Sequence, residues 1–354
     1  MSDKKKICFV IPTLQMGGME RVASLLANYS VRNGYYVYII CLINKNSSYY
    51  LDENISIFAP DFEYKKGVLN KLKVLHYLVS CLKEIKPNAV LSFSEVFNPI
   101  SIISAKLANV PIYISDRSNP NKKLSIFRQS IRKLMYPFAN GMISQTELAK
   151  TVSLNKGYNK NILVIANPLR EIDQKLEPVK EQVIVSVGRL IPTKNFKELI
   201  DIFFEINPEK KWQLWILGEG PDREKLQEQI NSLLLSDCVK LLGAVKDVDN
   251  YLSKASIFAF PSISEGFPNA LSEALAYPLP CIAYNCPAGP SELIRNNENG
   301  FLIPLHNKEK FKIYLYKLMK DDILRDRLTN SYKLHREKYH INSISERYLN
   351  FLLN

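Results

Sequence analysis

The chain has 354 residues, of which 46% are hydrophobic, with 47 Lys and Arg against 35 Asp and Glu. That length suits two domains better than one core, and the apolar content excludes a disordered chain. The apolar runs are strand-sized, too short to span a bilayer, and the stretch before the first strand, Met1 to Lys6, has no apolar leader. The net charge of +12 sits in residues 1–168, which hold 22 basic and 10 acidic side chains, whereas residues 169–354 hold 25 of each. A basic half meets something anionic: a phosphate-bearing ligand, an acidic lipid surface or nucleic acid. No aromatic-studded basic strand or recognition helix accompanies the charge, which disfavours nucleic acid. The six cysteines have no zinc or disulfide spacing and read as thiols in a reducing compartment.

In chain order, strands are predicted at Ile7–Ile11, Tyr36–Leu42, Ala89–Phe93, Ile112–Ser115, Gly141–Ser144 and Ile162–Ala166. Helices fall between them at Met19–Arg32, Val68–Ile85, Pro99–Leu107, Ser125–Tyr136 and Glu147–Lys156. Alternation of this kind makes an α/β fold with a parallel sheet and helices on both faces. The run Ala166-Asn167-Pro168 breaks the pattern, and a polar stretch follows to Gln182. Strands resume at Val183–Val187, Trp212–Leu217, Val239–Leu242, Ile257–Phe260, Cys281–Tyr284 and Phe301–Ile303, with helices at Phe196–Ile206, Arg223–Leu234, Val248–Leu252 and Asn269–Tyr277. We therefore divide the chain into a first domain of residues 1–168 and a second of residues 169–339. The amphipathic tail, residues 340–354, returns to the first.

The stretch from Lys122 to Tyr136 mixes Lys122, Lys123, Arg128, Arg132 and Lys133 with Ile126, Phe127, Ile131, Leu134 and Met135. It reads as a helix with its apolar stripe on the core and a basic rim available to anionic lipid. Lys65, Lys66, Lys71 and Lys73 form a second basic cluster.

Several loops carry chemistry. Gly17 and Gly18 end the first strand and open a helix, where backbone N–H groups welcome a phosphate or a sugar. The third glycine of a dinucleotide fingerprint is missing, which disfavours a nicotinamide enzyme. After the strand Val183–Val187, Arg189 and Lys194 flank a helix start, a cradle suited to a diphosphate. Further loops run through Gly218-Glu219-Gly220-Pro221 and Pro287-Ala288-Gly289-Pro290-Ser291-Glu292. Asp247-Val248-Asp249 has the look of a metal motif but precedes a helix, where capping is the better account. Glu265 lies in a Gly/Pro loop and Glu273 eight positions on, inside a helix. Plain alternatives exist for each motif: a turn, solvated cations, surface glutamates. What favours chemistry is that all these loops should open on the carboxyl edge of a sheet, where α/β folds bind ligands.

Taken in order, Gly17-Gly18-x-Glu20-Arg21, Gly188-Arg189-Leu190-x4-Lys194-Asn195, Gly218-Glu219-Gly220-Pro221, Glu265-x7-Glu273 and Pro287-x-Gly289-Pro290-x-Glu292 resemble glycosyltransferase family 4 across nearly the whole chain. The resemblance is to bacterial enzymes of surface polysaccharide and lipid-linked oligosaccharide synthesis. It implies a GT-B fold, two Rossmann-like domains facing a cleft, with retention of anomeric configuration and no metal. It assigns the donor diphosphate to Arg189 and Lys194, the ribose to Glu273 and the transferred sugar to Glu265. Gly266, Phe267, Asn269 and Leu271 assist on the donor. Gly17, Gly18, Gly188 and Gly218 approach the phosphates, while Gly243 and Val245 meet the base. Glu20, Asp116, Arg117 and Asn119 fall to the acceptor side. Many relatives carry a His where this chain reads Ser115-Asp116-Arg117-Ser118-Asn119. Arg117 is the candidate substitute, oriented by Asp116, and a loop salt bridge is the alternative. His76, His306, His335 and His340 match no motif.

The expected activity is transfer of a hexose or N-acetylhexosamine from a nucleotide sugar, a UDP-sugar first, to a saccharide on a polyprenyl diphosphate. The expected place is the cytoplasmic face of the membrane, held peripherally on anionic lipid, with no cofactor. A nucleotide-sugar epimerase and a non-catalytic sugar- or membrane-binding module remain the rival readings.

Overall fold

The computed structural model describes residues 4–15, 17–65, 67–172 and 179–354. Lys66 of the second basic cluster and residues 173–178 of the polar stretch lie outside these. The chain divides into two compact units: Met1–Arg170 with Tyr339–Asn354, and Glu171–Lys338.

The first unit runs β1 (Lys6–Ile11), α1 (Gly18–Arg32), β2 (Tyr36–Cys41), β3 (Ser56–Phe58), α2 (Val68–Ile85), β4 (Ala89–Phe93), α3 (Asn98–Ala108), β5 (Ile112–Ser115), α4 (Ile126–Met135), β6 (Gly141–Ser144), α5 (Glu147–Asn155) and β7 (Ile162–Val164). Its seven strands, ordered β3-β2-β1-β4-β5-β6-β7, are all parallel. Side chains alternate across a strand, so one sheet needs two apolar faces when helices cover both. Cys8, Val10, Val90, Ile112 and Ile114 face one core with Leu78 and Leu82 of α2 and Ile102 of α3. The alternate residues Phe9 and Phe93 stack on the opposite face, 6.2 Å between ring centroids.

The second unit runs β8 (Val183–Val187), α6 (Phe196–Ile206), β9 (Gln213–Leu217), α7 (Arg223–Ser232), β10 (Val239–Gly243), α8 (Val248–Lys254), β11 (Ile257–Phe260), α9 (Asn269–Ala274), β12 (Cys281–Asn285), α10 (Pro290–Leu293), β13 (Gly300–Pro304), α11 (Lys308–Lys320), α12 (Asp322–Arg327) and α13 (Tyr332–Lys338). The last helix, α14 (Ile341–Leu353), belongs to the first unit, where it packs on α1 and β4. The second sheet, β10-β9-β8-β11-β12-β13, is again all parallel. Its core joins Ile184, Leu214, Ile216 and Ile257 to Phe203 of α6 and Phe311 of α11. In both sheets the switch in strand order lies beside the first strand of the unit, the usual place for a ligand crevice at the carboxyl edge.

Three expectations need correction. The strand β3 escaped the sequence because three residues, SIF, give no period to read. The helix expected over Asn269–Tyr277 stops at Ala274, because the backbone tightens to shorter-range hydrogen bonds at Ala276 and Tyr277. And α4 turns its apolar stripe inward only in part: Ile131 and Met135 are half-buried, Met135 against the core, while the rest faces out. None of its residues is buried, and Ile126, Phe127 and Leu134 are 85%, 66% and 66% exposed. Arg132 also holds it, pairing with Asp116 and lying 4.5 Å from the Tyr158 ring centroid.

Candidate functional site

In the second unit the carboxyl ends of the parallel strands gather the motif loops, and their glycines explain how closely. A Cβ on Gly218, at φ +142°, would stand 1.9 Å from the Gly188 carbonyl oxygen, so the loops after β8 and β9 touch backbone to backbone. The Gly218 N–H reaches the Gly243 oxygen at 2.8 Å, bringing in the carboxyl end of β10. The Ile263 N–H reaches the Thr193 oxygen at 2.9 Å, bringing in the loop after β11. Gly289 lies so close to Pro268 that a Cβ there would sit 2.2 Å from Pro268 Cδ, which seats the loop after β12 against the Glu265–Glu273 segment.

Lys194 and Glu265 meet within this cluster. The Lys194 stem crosses Gly188, where a Cβ would press on Lys194 Cδ at 3.4 Å. Its ammonium lies 2.5 Å from Glu265 Oε1 and 5.8 Å from the Phe260 ring centroid. Glu265 is only 9% exposed and Glu273 only 5%, an unusual depth for glutamates. A carboxylate as deep as that of Glu265, paired with a cation, belongs to a polar site. Cys286 borders it: burial pushes its thiol up to about 12, the Glu265 carboxylate adds to the rise and Lys194 opposes it. Arg189 is exposed and has no ion pair among the described residues. Lys194, by contrast, is paired with Glu265.

Not every expected donor is open. The Asn269 N–H folds back on the Phe267 oxygen at 3.0 Å, so it is not aimed outward. Asp247 caps α8, its carboxylate accepting from the Asn250 N–H at 3.1 Å, as the capping account required. Among the described residues no cluster of three or more His, Cys, Asp or Glu could hold a metal ion. A cavity of about 700 Å³ beside Asn195 opens elsewhere, between α6 and α7 along Lys197, Lys225 and Gln229, and neither glutamate lines it.

In the first unit Gly17 and Gly18 stand at the start of α1 as expected. Sequence missed their partner Tyr49, whose hydroxyl accepts from the Gly17 N–H at 3.0 Å and donates to the Gly17 oxygen at 2.8 Å. Glu20 folds over the same turn, its Oε2 2.2 Å from where a Gly17 Cβ would be. Asp116 does not orient Arg117. It accepts from Arg132, from the Tyr136 hydroxyl at 2.7 Å and from Asn98 Nδ2 at 3.0 Å. Burial pushes the Asp116 carboxyl up from its ordinary value, and Arg132 and Tyr136 oppose that rise. Arg117 points the other way, bonding Asn167 and, at 3.1 Å, the Tyr348 hydroxyl of α14, with its guanidinium 4.7 Å from the Phe93 ring centroid. Asn119 closes a turn on the Asn121 N–H at 2.9 Å.

Comparison with known proteins decides the class. The family description "Glycosyl transferases group 1" matches residues 169–335. Those residues take in nearly the whole of the second unit. The chain is 29% identical to an uncharacterized glycosyltransferase of Haemophilus influenzae, over 98% of this chain and all of that one. It is also 29% identical to the N-acetylgalactosamine-N,N'-diacetylbacillosaminyl-diphospho-undecaprenol 4-alpha-N-acetylgalactosaminyltransferase of Campylobacter jejuni, over 99% of this chain and all of that one. The crystal structure of Anabaena HepE in complex with UDP superposes with a TM-score of 0.82 at 17% identity, covering 98% of this chain and 99% of that one. That likeness gives the fold of two Rossmann-like units, the GT-B fold that the motifs implied. The chain is a glycosyltransferase, and four of its five sequence motifs fall on the loops that meet at the carboxyl edge of the second sheet, the fifth lying at the start of α1.

Proposed function

We propose that this glycosyltransferase takes a hexose or N-acetylhexosamine from a UDP-sugar and passes it, with retention of configuration, to a saccharide on a polyprenyl diphosphate. The observation that carries the reading is the Lys194–Glu265 pair at the meeting point of the strand-end loops. In this reading the donor diphosphate takes Lys194 and Arg189 as its cations, and Glu265 is released to the hydroxyls of the transferred sugar. Glu273 holds the ribose. The acceptor hydroxyl attacks the anomeric carbon as the bond to the diphosphate breaks. The electron pair leaves on the phosphate oxygen, which takes the acceptor's proton. The protein positions the partners and stabilises the departing charge. Arg117 enters as a brace behind the acceptor loop, since Asn167 and Tyr348 already hold it. Support for UDP and for a lipid-linked acceptor comes from the relatives named above. Assignment to family 4 rests on the ordered motifs.

We further place the enzyme at an anionic membrane face. Among the described residues no helix is long and apolar enough to cross a membrane. The basic half and the exposed Ile126, Phe127 and Leu134 of α4 suit an interfacial contact.

The test is UDP release from a panel of UDP-hexoses and UDP-N-acetylhexosamines with polyprenyl-diphosphate saccharides as acceptors, and the anomeric configuration of the product. Lys194→Ala and Glu265→Gln should each cut turnover about 100-fold or more with the fold intact. Near-normal rates in both variants would remove the site, and an inverted product would remove the mechanism.

A further inference from the structure

The helix α9 carries Glu273, and its last turn changes register. The Ser272 and Leu275 N–H groups reach the Pro268 and Leu271 oxygens in α-helical spacing, both at 3.0 Å. The next two shorten: Ala276 N–H reaches Glu273 O at 3.1 Å, and Tyr277 N–H reaches Ala274 O at 3.0 Å. Ala276 would otherwise have served the Ser272 carbonyl, so that buried oxygen must find its donor outside the helix. It finds His335 of α13, whose Nε2 lies 2.9 Å from Ser272 O and 3.2 Å from Ser272 Oγ. A carbonyl only accepts, which assigns the ring proton to Nε2. Burial lowers the imidazole pKa to about 4, so the ring is neutral at physiological pH and Nδ1 carries no proton. The neighbouring Arg336 donates from Nε to the Ala276 oxygen at 2.5 Å, and its guanidinium lies 5.5 Å from the Tyr277 ring centroid. Consecutive residues of α13 thus hold two carbonyls one helical turn apart, on either side of Glu273.

We infer that His335, backed by Arg336, is a positioning residue for the nucleoside: by holding the Ser272 carbonyl it sets the backbone of Glu273 and the direction of that carboxylate toward the ribose hydroxyls. The inference rests on the donor site proposed above and adds a residue that touches no substrate.

The experiment measures UDP binding by calorimetry, donor kcat and KM, inhibition by inorganic pyrophosphate, and thermal melting on the full chain. The variants are His335→Leu, His335→Gln and Glu273→Gln. His335→Leu should weaken UDP and raise the donor KM about ten-fold, the loss of one buried hydrogen bond, with kcat within about twofold. Pyrophosphate has no ribose, so its inhibition should not change. His335→Gln places an amide near the Nε2 position and should bring UDP binding back to within about twofold of the native chain. If His335→Leu fails to fold, His335→Asn, polar but too short to reach Ser272, takes its place with the same expectations. Native UDP affinity in the Leu variant, equal losses of UDP and pyrophosphate, or a Gln variant no better than Leu would each overturn the inference. Native UDP affinity in Glu273→Gln would instead overturn the donor site.

Discussion

Gly289 shows how much of the site depends on single backbone positions. Its φ of +115° is outside the range an L residue adopts readily, and a Cβ would also meet Pro268 Cδ at 2.2 Å. Relief has to come from moving Pro268, which stands between Glu265 and Glu273. Gly289→Ala should therefore cost about 1–3 kcal/mol in denaturant melts and raise the donor KM as well. Gly34 separates the two causes. Its φ is +84° with nothing within 4 Å of a Cβ. Gly34→Ala should cost only about 1 kcal/mol of backbone strain and leave the donor KM alone. Equal effects on KM from both would show that Pro268 does not transmit the clash. The sequence made Gly289 legible because it sits in a motif of loop residues. It gave no hint of Tyr49 or His335, since a single Tyr in a polar loop and a single His in a tail helix have no period and no motif. Each acquires its role from a contact far along the chain.

The helices tell how far periodicity reaches. The starts and ends of α2 and α6 match the reading of the sequence, because their apolar stripes end at clear breaks. For α4 the stripe was visible and its direction was not. A stripe tells which residues share a face, while the direction here is set in part by Arg132 reaching Asp116, a polar contact that periodicity does not register. Two substitutions separate anchor from surface. Arg132→Leu leaves Asp116 buried without its cation and should destabilise the chain by about 3–5 kcal/mol. The double change Ile126→Ser and Phe127→Ser removes side chains that are 85% and 66% exposed and should stay within about 1 kcal/mol of native stability. Only the double variant should keep a native melt yet sediment poorly with phosphatidylglycerol vesicles. Unchanged sedimentation would mean that α4 does not meet the lipid.

At the scale of the whole molecule, two α/β units were legible from the alternation of strands and helices, because a parallel sheet covered on both faces demands long apolar strands. The one-sided charge was legible too, since it needs only counting. Coupling between distant elements was not, and the stability of the second unit depends on one such coupling. His335, in α13, is buried against α9 with its pKa lowered to about 4 from an ordinary 6.5. In the unfolded chain this ring takes a proton as the pH falls through 6.5; in the folded chain it stays neutral until about 4. Between those values the unfolded state binds more protons, so acidification favours unfolding. The full window corresponds to about 3 kcal/mol. The contribution is present above pH 6.5, is lost progressively on the way down, and is gone below 4. Carboxylates titrate over the acid end of the same range, so the native curve alone is ambiguous. His335→Gln keeps the donor and does not titrate, which makes the difference between the two curves the quantity to measure. In urea melts from pH 7 to pH 4 the native chain should lose about 3 kcal/mol more than the Gln variant, with most of the divergence below pH 6. Parallel curves would mean that the ring is charged in the folded state or open to solvent, and the hold of α13 on the Glu273 helix would then need another donor.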